Sequence, residues 1–224
     1  MSQKTALLLG ATGLVGGHLL KLLLESEHFG RVVVLSRKSG GAKHEKLQEI
    51  ILDFNSLDSA KPHFAVDVLF CCLGTTIKKA KTREAMIRVD YEYPLEAGRL
   101  AKEMGVGHYA VVSSIGANAD SPNAYLRTKG RLEADLKSLD FAALSIFQPS
   151  LLLGKRQEFR FGEGLASKLL PLLSFAFAGK LKKYKAVAAS DVAKAMYSAA
   201  YQTKPGTTVY PTDEIIKLAA AVSD

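Results

Sequence analysis

The stretch Gly10-Ala-Thr-Gly13-Leu-Val-Gly16 decides the fold of this 224-residue chain. It lies between a short apolar run, residues 5–9, and a segment, residues 14–25, whose apolar side chains recur at helical spacing. Glycines let a backbone turn tightly and approach a pyrophosphate closely, and the following helix offers N–H groups to the anion. In this strand–glycine–helix context the triplet predicts a dinucleotide-binding loop rather than a plain turn. The loop residues expected to contact the nucleotide are Gly10, Thr12, Gly13, Leu14, Val15 and Gly16.

The rest of the chain alternates strand and helix patterns. Strands are expected at residues 5–9, 31–36, 47–54, 66–73, 109–114 and 141–147, and helices at 14–25, 82–104 and 123–139. This alternation predicts parallel crossovers, and the right-handed crossover rule favours the strand order 3-2-1-4-5-6. After Pro149 the alternation weakens into helical patterns at residues 163–178, 190–202 and 212–222. We expect an α/β fold, a Rossmann-like doubly wound parallel sheet in one domain over residues 1–224, with a small substrate-side lobe drawn mainly from residues 150–189.

Composition and charge exclude several classes of protein. The 48% hydrophobic and 23% charged residues are typical of a globular domain, and no secretory pattern or membrane span is visible, so we expect a cytoplasmic protein. The 30 basic and 22 acidic residues give a net charge of +8, but the basic residues are scattered without interleaved aromatics. We therefore expect no nucleic-acid partner. The adjacent Cys71 and Cys72 are poorly placed to bridge, and no metal-ligand spacing is present.

The end of the second strand indicates which nucleotide is bound. A site for NAD places Asp or Glu there to accept from the ribose 2′-hydroxyl, whereas this chain has Ser36-Arg37-Lys38. Arginine and lysine complement a 2′-phosphate by charge, and the guanidinium adds a fork of donors. We therefore expect NADP(H) to be preferred over NAD(H), the alternative being an exposed basic turn. Asp53, after the third strand, would contact the adenine edge or cap the following turn.

Tyr125 and Lys129 are four positions apart and share one face of the predicted helix. A nearby ammonium stabilises a phenolate, which lets a tyrosine exchange a proton with a carbonyl or an alcohol. The pair follows the fifth strand, which ends in Ser113 and Ser114, and a serine hydroxyl there can bind the same substrate oxygen. This arrangement predicts the catalytic set Ser114 (or Ser113), Tyr125 and Lys129. The alternative is an ordinary helix surface without turnover.

These motifs resemble the atypical short-chain dehydrogenase/reductases over nearly the whole chain. Within that superfamily, the stretches Cys71-Cys-Leu-Gly-Thr-Thr76, Arg88-Val-Asp90 and Gln148-Pro-Ser-Leu-Leu-Leu-Gly154 resemble the human Tat-interacting protein family and its bacterial relatives. The resemblance implies an NADP(H)-binding fold with Leu73, Gly74 and Thr75 along the nicotinamide. By the same resemblance the cofactor also touches Ser113, Tyr125, Lys129 and Pro149.

Three departures from the superfamily pattern bear on turnover. Asp90 occupies the position at which superfamily members often have an asparagine that takes part in a proton relay. Gln148 occupies the position at which extended members have an arginine. Ser114 lies 11 positions before Tyr125, which is a shorter spacing than usual. Arg156 and Arg160 would face an anionic substrate group or the cofactor phosphates, or pair with a nearby glutamate.

Two functions follow from these patterns. The first is an NADP(H)-dependent oxidoreductase that transfers hydride to or from a small carbonyl or alcohol substrate. The alternative is an NADP(H)-binding regulatory or redox-sensing protein with little or no turnover and a protein partner.

Overall fold

The computed structural model describes residues 3–154 and 185–222. Its strands are β1 (Lys4–Leu9), β2 (Phe29–Ser36), β3 (Leu47–Ile51), β4 (Val68–Cys71), β5 (His108–Val112), β6 (Ala143–Gln148), β7 (Leu152–Leu153), β8 (Val187–Ala188) and β9 (Gly206–Pro211). Seven of them form one parallel sheet in the order β3-β2-β1-β4-β5-β6-β9, and β7 pairs with β8. The predicted order of the first six strands and the Rossmann-like α/β fold are confirmed.

Helices connect the strands and cover both faces of the sheet. They are α1 (Leu14–Glu25), α2 (Ile77–Ala80), α3 (Arg83–Ile87), α4 (Tyr93–Glu103), α5 (Ala124–Ser138), α6 (Ala189–Tyr201) and α7 (Thr212–Ala220), with a 3₁₀ helix over Phe54–Phe64 and a π-helical turn over Arg88–Glu92. Among the described residues, no helix has the length and apolar character needed to cross a bilayer.

The clearest differences from the sequence predictions concern the third strand, the long helix after the fourth strand and one strand that was not predicted. The third strand ends at Ile51 rather than at residue 54, because Asp53 caps the 3₁₀ helix that begins at Phe54. The helix predicted over residues 82–104 is divided by the π-helical turn. Sequence patterns missed β9, since three of its six residues are exposed and it shows no apolar run. The helix predicted at residues 163–178 and most of the predicted lobe lie outside the described residues.

The core consists of two apolar clusters, one on each face of the sheet. Successive side chains of β1 belong to different clusters. Leu8 packs on the side of α1, α6 and α7, whereas Leu7 and Leu9 pack on the side of α4 and α5. All three leucines are fully buried. Such burial stabilises the fold by about 1.5–3 kcal/mol for each side chain. The resulting rigid sheet brings the carboxyl ends of β1, β2, β4 and β5 to one edge, where α/β sheets bind ligands.

Candidate functional site

The glycine loop between β1 and α1 has a backbone path that side chains would obstruct. Gly10 has a φ of +86°, and a Cβ atom there would lie 2.7 Å from the carbonyl carbon of Cys72. A Cβ on Gly16 would lie 2.1 Å from the carbonyl oxygen of Gly10. Helix α1 begins directly after Gly13, with no side chain capping its N-terminus. The first N–H groups of a helix lack partners within it, so this cradle fits the pyrophosphate of a dinucleotide.

A cavity of about 590 Å³ lies beside the glycine loop. It extends from the start of α1 across the sheet to the loop that follows β2 and to Glu49 on β3. Its lining includes Thr12, Gly13 and Leu14 of the predicted binding loop. A cavity at this place and of this size fits the adenosine half of the nucleotide.

The basic residues predicted to select the nucleotide lie at the end of β2. Ser36 is buried, and its hydroxyl donates to the carbonyl oxygen of Lys38 at 2.8 Å. Arg37 and Lys38 are both exposed at the carboxyl edge of the sheet. Their position allows contact with a phosphate next to the cavity, while the choice between NADP(H) and NAD(H) stays a prediction.

Glu49 is a residue of this region that sequence patterns missed. Its carboxylate accepts from the hydroxyl of Ser39 at 2.6 Å and from the N–H of Gly40 at 2.8 Å. These hydrogen bonds, led by that of Ser39, lower the pKa of the Glu49 carboxyl. Glu49 lies opposite Val34 on the neighbouring strand, and thus holds the loop after β2 over the cavity. Only the pairing of β2 with β3 reveals this role, so no local motif could have indicated it.

Asp53 caps the turn that follows β3. Its carboxylate accepts from the backbone N–H of Asn55 at 3.0 Å and from the Asn55 side chain at 3.1 Å. The hydrogen bonds from Asn55, with a smaller effect of the Arg37 charge, lower the pKa of Asp53. Of the two roles expected for Asp53, capping is observed, and contact with adenine stays a prediction.

A buried ion pair lies at the end of β4 and β5. The Lys129 ammonium is 3.0 Å from Oδ1 of Asp90 and 3.4 Å from the carbonyl oxygen of Val112, and both charged side chains are about 1% exposed. Oδ2 of Asp90 accepts from the backbone N–H of Thr75 at 3.1 Å. Asp90 therefore connects the loop after β4, which contains Leu73, Gly74 and Thr75, to α5. Helix α5 carries Tyr125 and Lys129, the pair for which the sequence predicts a catalytic role.

Tyr125 lies in the first turn of α5, one turn before Lys129. The Asn123 side chain caps this helix by accepting from the N–H groups of Tyr125 and Leu126. A Cβ on Gly130 would lie 2.2 Å from the carbonyl carbon of Asn118, so α5 packs directly on the loop that follows β5. This close approach fixes the start of α5 against the loop that contains Ser114.

The two serines after β5 have different surroundings. Ser113 donates a 2.5 Å hydrogen bond to Oε1 of Glu133, and the Gln148 amide donates to both oxygens of the same carboxylate at 2.9 and 3.0 Å. The Ser114 hydroxyl donates only a long 3.3 Å bond to the carbonyl oxygen of Ile115 in the described residues. The buried Glu133 was missed from the sequence, although it continues the helical spacing of Tyr125 and Lys129 by one further turn.

Of the remaining predicted site residues, Pro149 lies at the same edge of the sheet as the serines, and two arginines fall outside the described residues. The carbonyl oxygen of Pro149 accepts from the N–H of Ile115 at 3.0 Å, which places Pro149 beside the serines. Arg156 and Arg160 lie outside the described residues. Among residues 3–154 and 185–222, no group of three or more His, Cys, Asp or Glu side chains is arranged to hold a metal ion.

Curated relatives decide the family. HTATIP2 of Rattus norvegicus is 41% identical over 172 residues, which cover 75% of this chain and 71% of the rat protein. The chain belongs to the HTATIP2 family. Another relative, the mitochondrial protein FMP52 of Candida glabrata, is 38% identical over 164 residues, which cover 73% of this chain and 70% of that protein. The predicted resemblance to the Tat-interacting proteins is confirmed.

Solved structures and a family model agree on the fold of this HTATIP2 relative. Residues 5–88 match the family described as semialdehyde dehydrogenase, NAD binding domain. MoeE5 in complex with UDP-glucose and NAD superposes with a TM-score of 0.69 at 17% identity, over 97% of this chain and 81% of MoeE5. The Bordetella bronchiseptica enzyme WbmH in complex with NAD⁺ gives 0.68 at 17% identity, over 98% and 80%. These likenesses show that the chain has a Rossmann-like fold, whose first part resembles an NAD-binding domain.

The expected cytoplasmic location is wrong. Fungal relatives from three yeasts carry the name FMP52, mitochondrial. The expectation relied on the lack of a secretory pattern and of a long apolar stretch, and neither feature distinguishes the cytoplasm from an organelle.

Proposed function

We propose that this protein is an NADP(H)-dependent oxidoreductase that moves hydride between the nicotinamide and a small carbonyl or alcohol. The observation that carries the proposal is the stack of Tyr125 and Lys129 on α5, with Lys129 anchored by Asp90 beside the loop after β4. This stack and the glycine cradle lie at the same edge of the sheet, so a bound dinucleotide can reach both.

The residues at the nucleotide end fit a phosphorylated ribose. The glycine loop and the start of α1 would hold the pyrophosphate, and the exposed Arg37 and Lys38 would neutralise a 2′-phosphate. Glu49 would keep the loop after β2 in place through Ser39 and Gly40. These contacts support a preference for NADP(H) over NAD(H).

The residues at the other end fit proton transfer to oxygen. When bound, the nucleotide supplies or accepts the hydride. Tyr125 would donate a proton to the substrate oxygen in reduction and remove it in oxidation, while Ser114 would hold the same oxygen. Lys129 would stabilise the charge that develops on Tyr125. Ser113 is bound to Glu133, which supports Ser114 as the serine that meets the substrate.

A small substrate is favoured by chain length. About forty residues separate Pro149 from Ser190, and a lobe of that size leaves little protein to enclose a large ligand. Although MoeE5 was solved with UDP-glucose, its likeness at 17% identity extends to the fold alone.

Replacing Tyr125 by phenylalanine tests this function. We expect Tyr125→Phe to lower turnover by about 10²- to 10⁴-fold, the usual contribution of a general acid or base. The affinity for NADPH, measured by calorimetry, is expected to stay within about twofold because the phenol is not needed to hold the phosphates. The assay follows NADPH oxidation with a panel of small aldehydes and ketones. Tyr201→Phe, at an exposed position stacked on His28, is the matched control. Equal turnover of Tyr125→Phe and the wild type would overturn the proposed chemistry.

A regulatory protein is the second candidate function. The Lys129 ammonium is almost fully buried and neutralised by Asp90, which weakens its electrostatic action on Tyr125. On this hypothesis NADPH and NADP⁺ alter the association with a protein partner, and Tyr125→Phe leaves that association unchanged. A pull-down from cell extract, repeated with each nucleotide and with Tyr125→Phe, distinguishes the two functions.

A further inference from the structure

Asp90 occupies a turn of helix with an unusual hydrogen-bond pattern. It lies in the π-helical turn Arg88–Glu92, between α3 and α4, and its side chain is fully buried. Turns of this kind widen a helix by one residue and frequently occur at functional sites. Here the turn carries a carboxylate that meets the Lys129 ammonium at 3.0 Å.

The Asp90–Lys129 pair combines two opposite charges in a place where neither is screened by water. A buried ion that loses its partner keeps an uncompensated charge, since solvent cannot surround it. The second oxygen of Asp90 binds the N–H of Thr75, in the loop that leaves β4. The pair therefore lies directly against the loop expected to line the nicotinamide.

The Cys71 thiol at the end of β4 lies close to both charges. Burial is the main cause that raises the pKa of this thiol, while the Lys129 charge lowers it and the Asp90 charge raises it. Cys71 is the last residue of β4, two positions before Leu73. Cys71 thus lies within electrostatic reach of both members of the ion pair, next to the loop after β4.

The two forms of the nucleotide differ in charge at the nicotinamide. The oxidised ring carries a positive charge and the reduced ring carries none, so a nearby uncompensated ammonium would weaken the binding of NADP⁺ alone. A neutral pair has no such effect. With an asparagine at position 90, Lys129 would lose this carboxylate, and the charge beside the loop after β4 would become more positive by one unit.

We propose that Asp90 sets the relative affinity for the oxidised and reduced nucleotide, by neutralising Lys129 where the nicotinamide binds. This inference rests on the proposed function in one respect, the placement of the nicotinamide beside Thr75. It does not require turnover and holds equally for an enzyme and for a sensor. Asp90 is a positioning residue, because it acts through Lys129 and through the loop after β4.

Dissociation constants for NADP⁺ and NADPH, measured by calorimetry, test the proposal. In Asp90→Asn, the ratio of the NADP⁺ constant to the NADPH constant is expected to rise by at least roughly tenfold, as for one added positive charge within about 12 Å at an effective dielectric of about 20. Asparagine keeps an oxygen that can accept from Thr75, so the loop remains anchored. The double variant Asp90→Asn/Lys129→Met contains neither charge, and its ratio is expected to return to within about twofold of the wild type.

Two further variants complete the test. Asp135 lies on α5, the helix that also carries Lys129, and its carboxylate accepts from the hydroxyl of Tyr91. The control variant Asp135→Asn should leave the ratio of the two dissociation constants unchanged. If Asp90→Asn does not fold, Lys129→Met gives the reverse test, because the remaining carboxylate would lower the ratio. Thermal melts verify that each variant is folded.

The outcomes distinguish this inference from the proposed function. If Asp90→Asn weakens the binding of both nucleotides equally, or if the double variant keeps the altered ratio, the proposed role of Asp90 is overturned. The proposed function would be unaffected by either result. A wild-type protein that binds neither nucleotide would overturn the proposed function and this inference with it.

Discussion

Gly16 and Gly17 are adjacent glycines in α1 for which the structure predicts opposite effects of the same substitution. A Cβ on Gly16 would lie 2.1 Å from the carbonyl oxygen and 2.7 Å from the carbonyl carbon of Gly10, and these backbone atoms cannot move without deforming the loop. A Cβ on Gly17 would lie 3.5 Å from the carbonyl oxygen of Ala11, an ordinary contact. Both positions are helical, so alanine has the same intrinsic advantage over glycine at each.

The expected magnitudes follow from two opposing effects. Alanine in place of a helical glycine stabilises by up to about 1 kcal/mol, which is the whole effect expected for Gly17→Ala. In Gly16→Ala the clash adds a cost of about 1–3 kcal/mol, the usual range for overpacking. Gly16→Ala should therefore melt below Gly17→Ala, by about 2–4 °C for each kcal/mol in a domain of this length.

Nucleotide binding gives a second readout for the same pair. Because the loop must shift to accept the methyl group, Gly16→Ala is expected to weaken NADPH binding by at least about tenfold, whereas Gly17→Ala should change it by less than about threefold. The assays are thermal unfolding followed by circular dichroism and calorimetric titration with NADPH. Equal melting temperatures and equal affinities for the two variants would refute the reasoning that the loop is built around Gly16.

Two further predictions concern buried polar groups. Burial, with a smaller effect of the Lys4 charge, lowers the pKa of His108 to about 4. The folded protein therefore binds a proton at His108 less readily than the unfolded chain, whose histidine pKa is near 6.5. The resulting contribution to stability is complete above about pH 6.5 and is lost as pH falls towards 4. Thermal melts between pH 7 and pH 4.5 should therefore depend less on pH in His108→Gln than in the wild type or in the exposed control His44→Gln, and an unchanged slope would contradict this. Ser113→Ala removes a donor from the buried Glu133 carboxylate and should cost about 1–3 kcal/mol of stability, whereas Ser114→Ala should lower turnover with little effect on melting. A stable, inactive Ser113→Ala variant would show that Ser113 is the serine that meets the substrate.

The fold could be predicted because its signals are local and agree with one another. The glycine loop, the apolar strand before it and the helical spacing after it all indicate one strand–loop–helix unit, and helix α1 has the predicted bounds. The alternating order of the later segments then limited the sheet to one topology. Strand β9 escaped detection because it is an exposed edge strand, stabilised by pairing with β6 rather than by its own apolar side chains.

The candidate site was predictable in its motif residues and less so in their partners. Tyr125, Lys129 and the serines follow from position and spacing, since a helix after a strand presents its first turns to the edge of the sheet. Glu49 and Glu133 did not follow, because each acts on residues of a neighbouring element. Asp90 was noted as a departure from the superfamily, but its pairing with Lys129 depends on the π-helical turn and on the packing of two helices.

The central claim, that this edge of the sheet binds NADP(H), is tested most directly by calorimetric titration of the wild type with NADPH and NADH. The same titrations are repeated with Arg37→Ala and with the control Arg31→Ala, which changes an exposed arginine of β2 that donates to Gln48. We expect tight binding of NADPH, weak binding of NADH, loss of this preference in Arg37→Ala and no loss in Arg31→Ala. Equal affinity of the wild type for both nucleotides would contradict the assignment of Arg37, and binding of neither would contradict the account of the site.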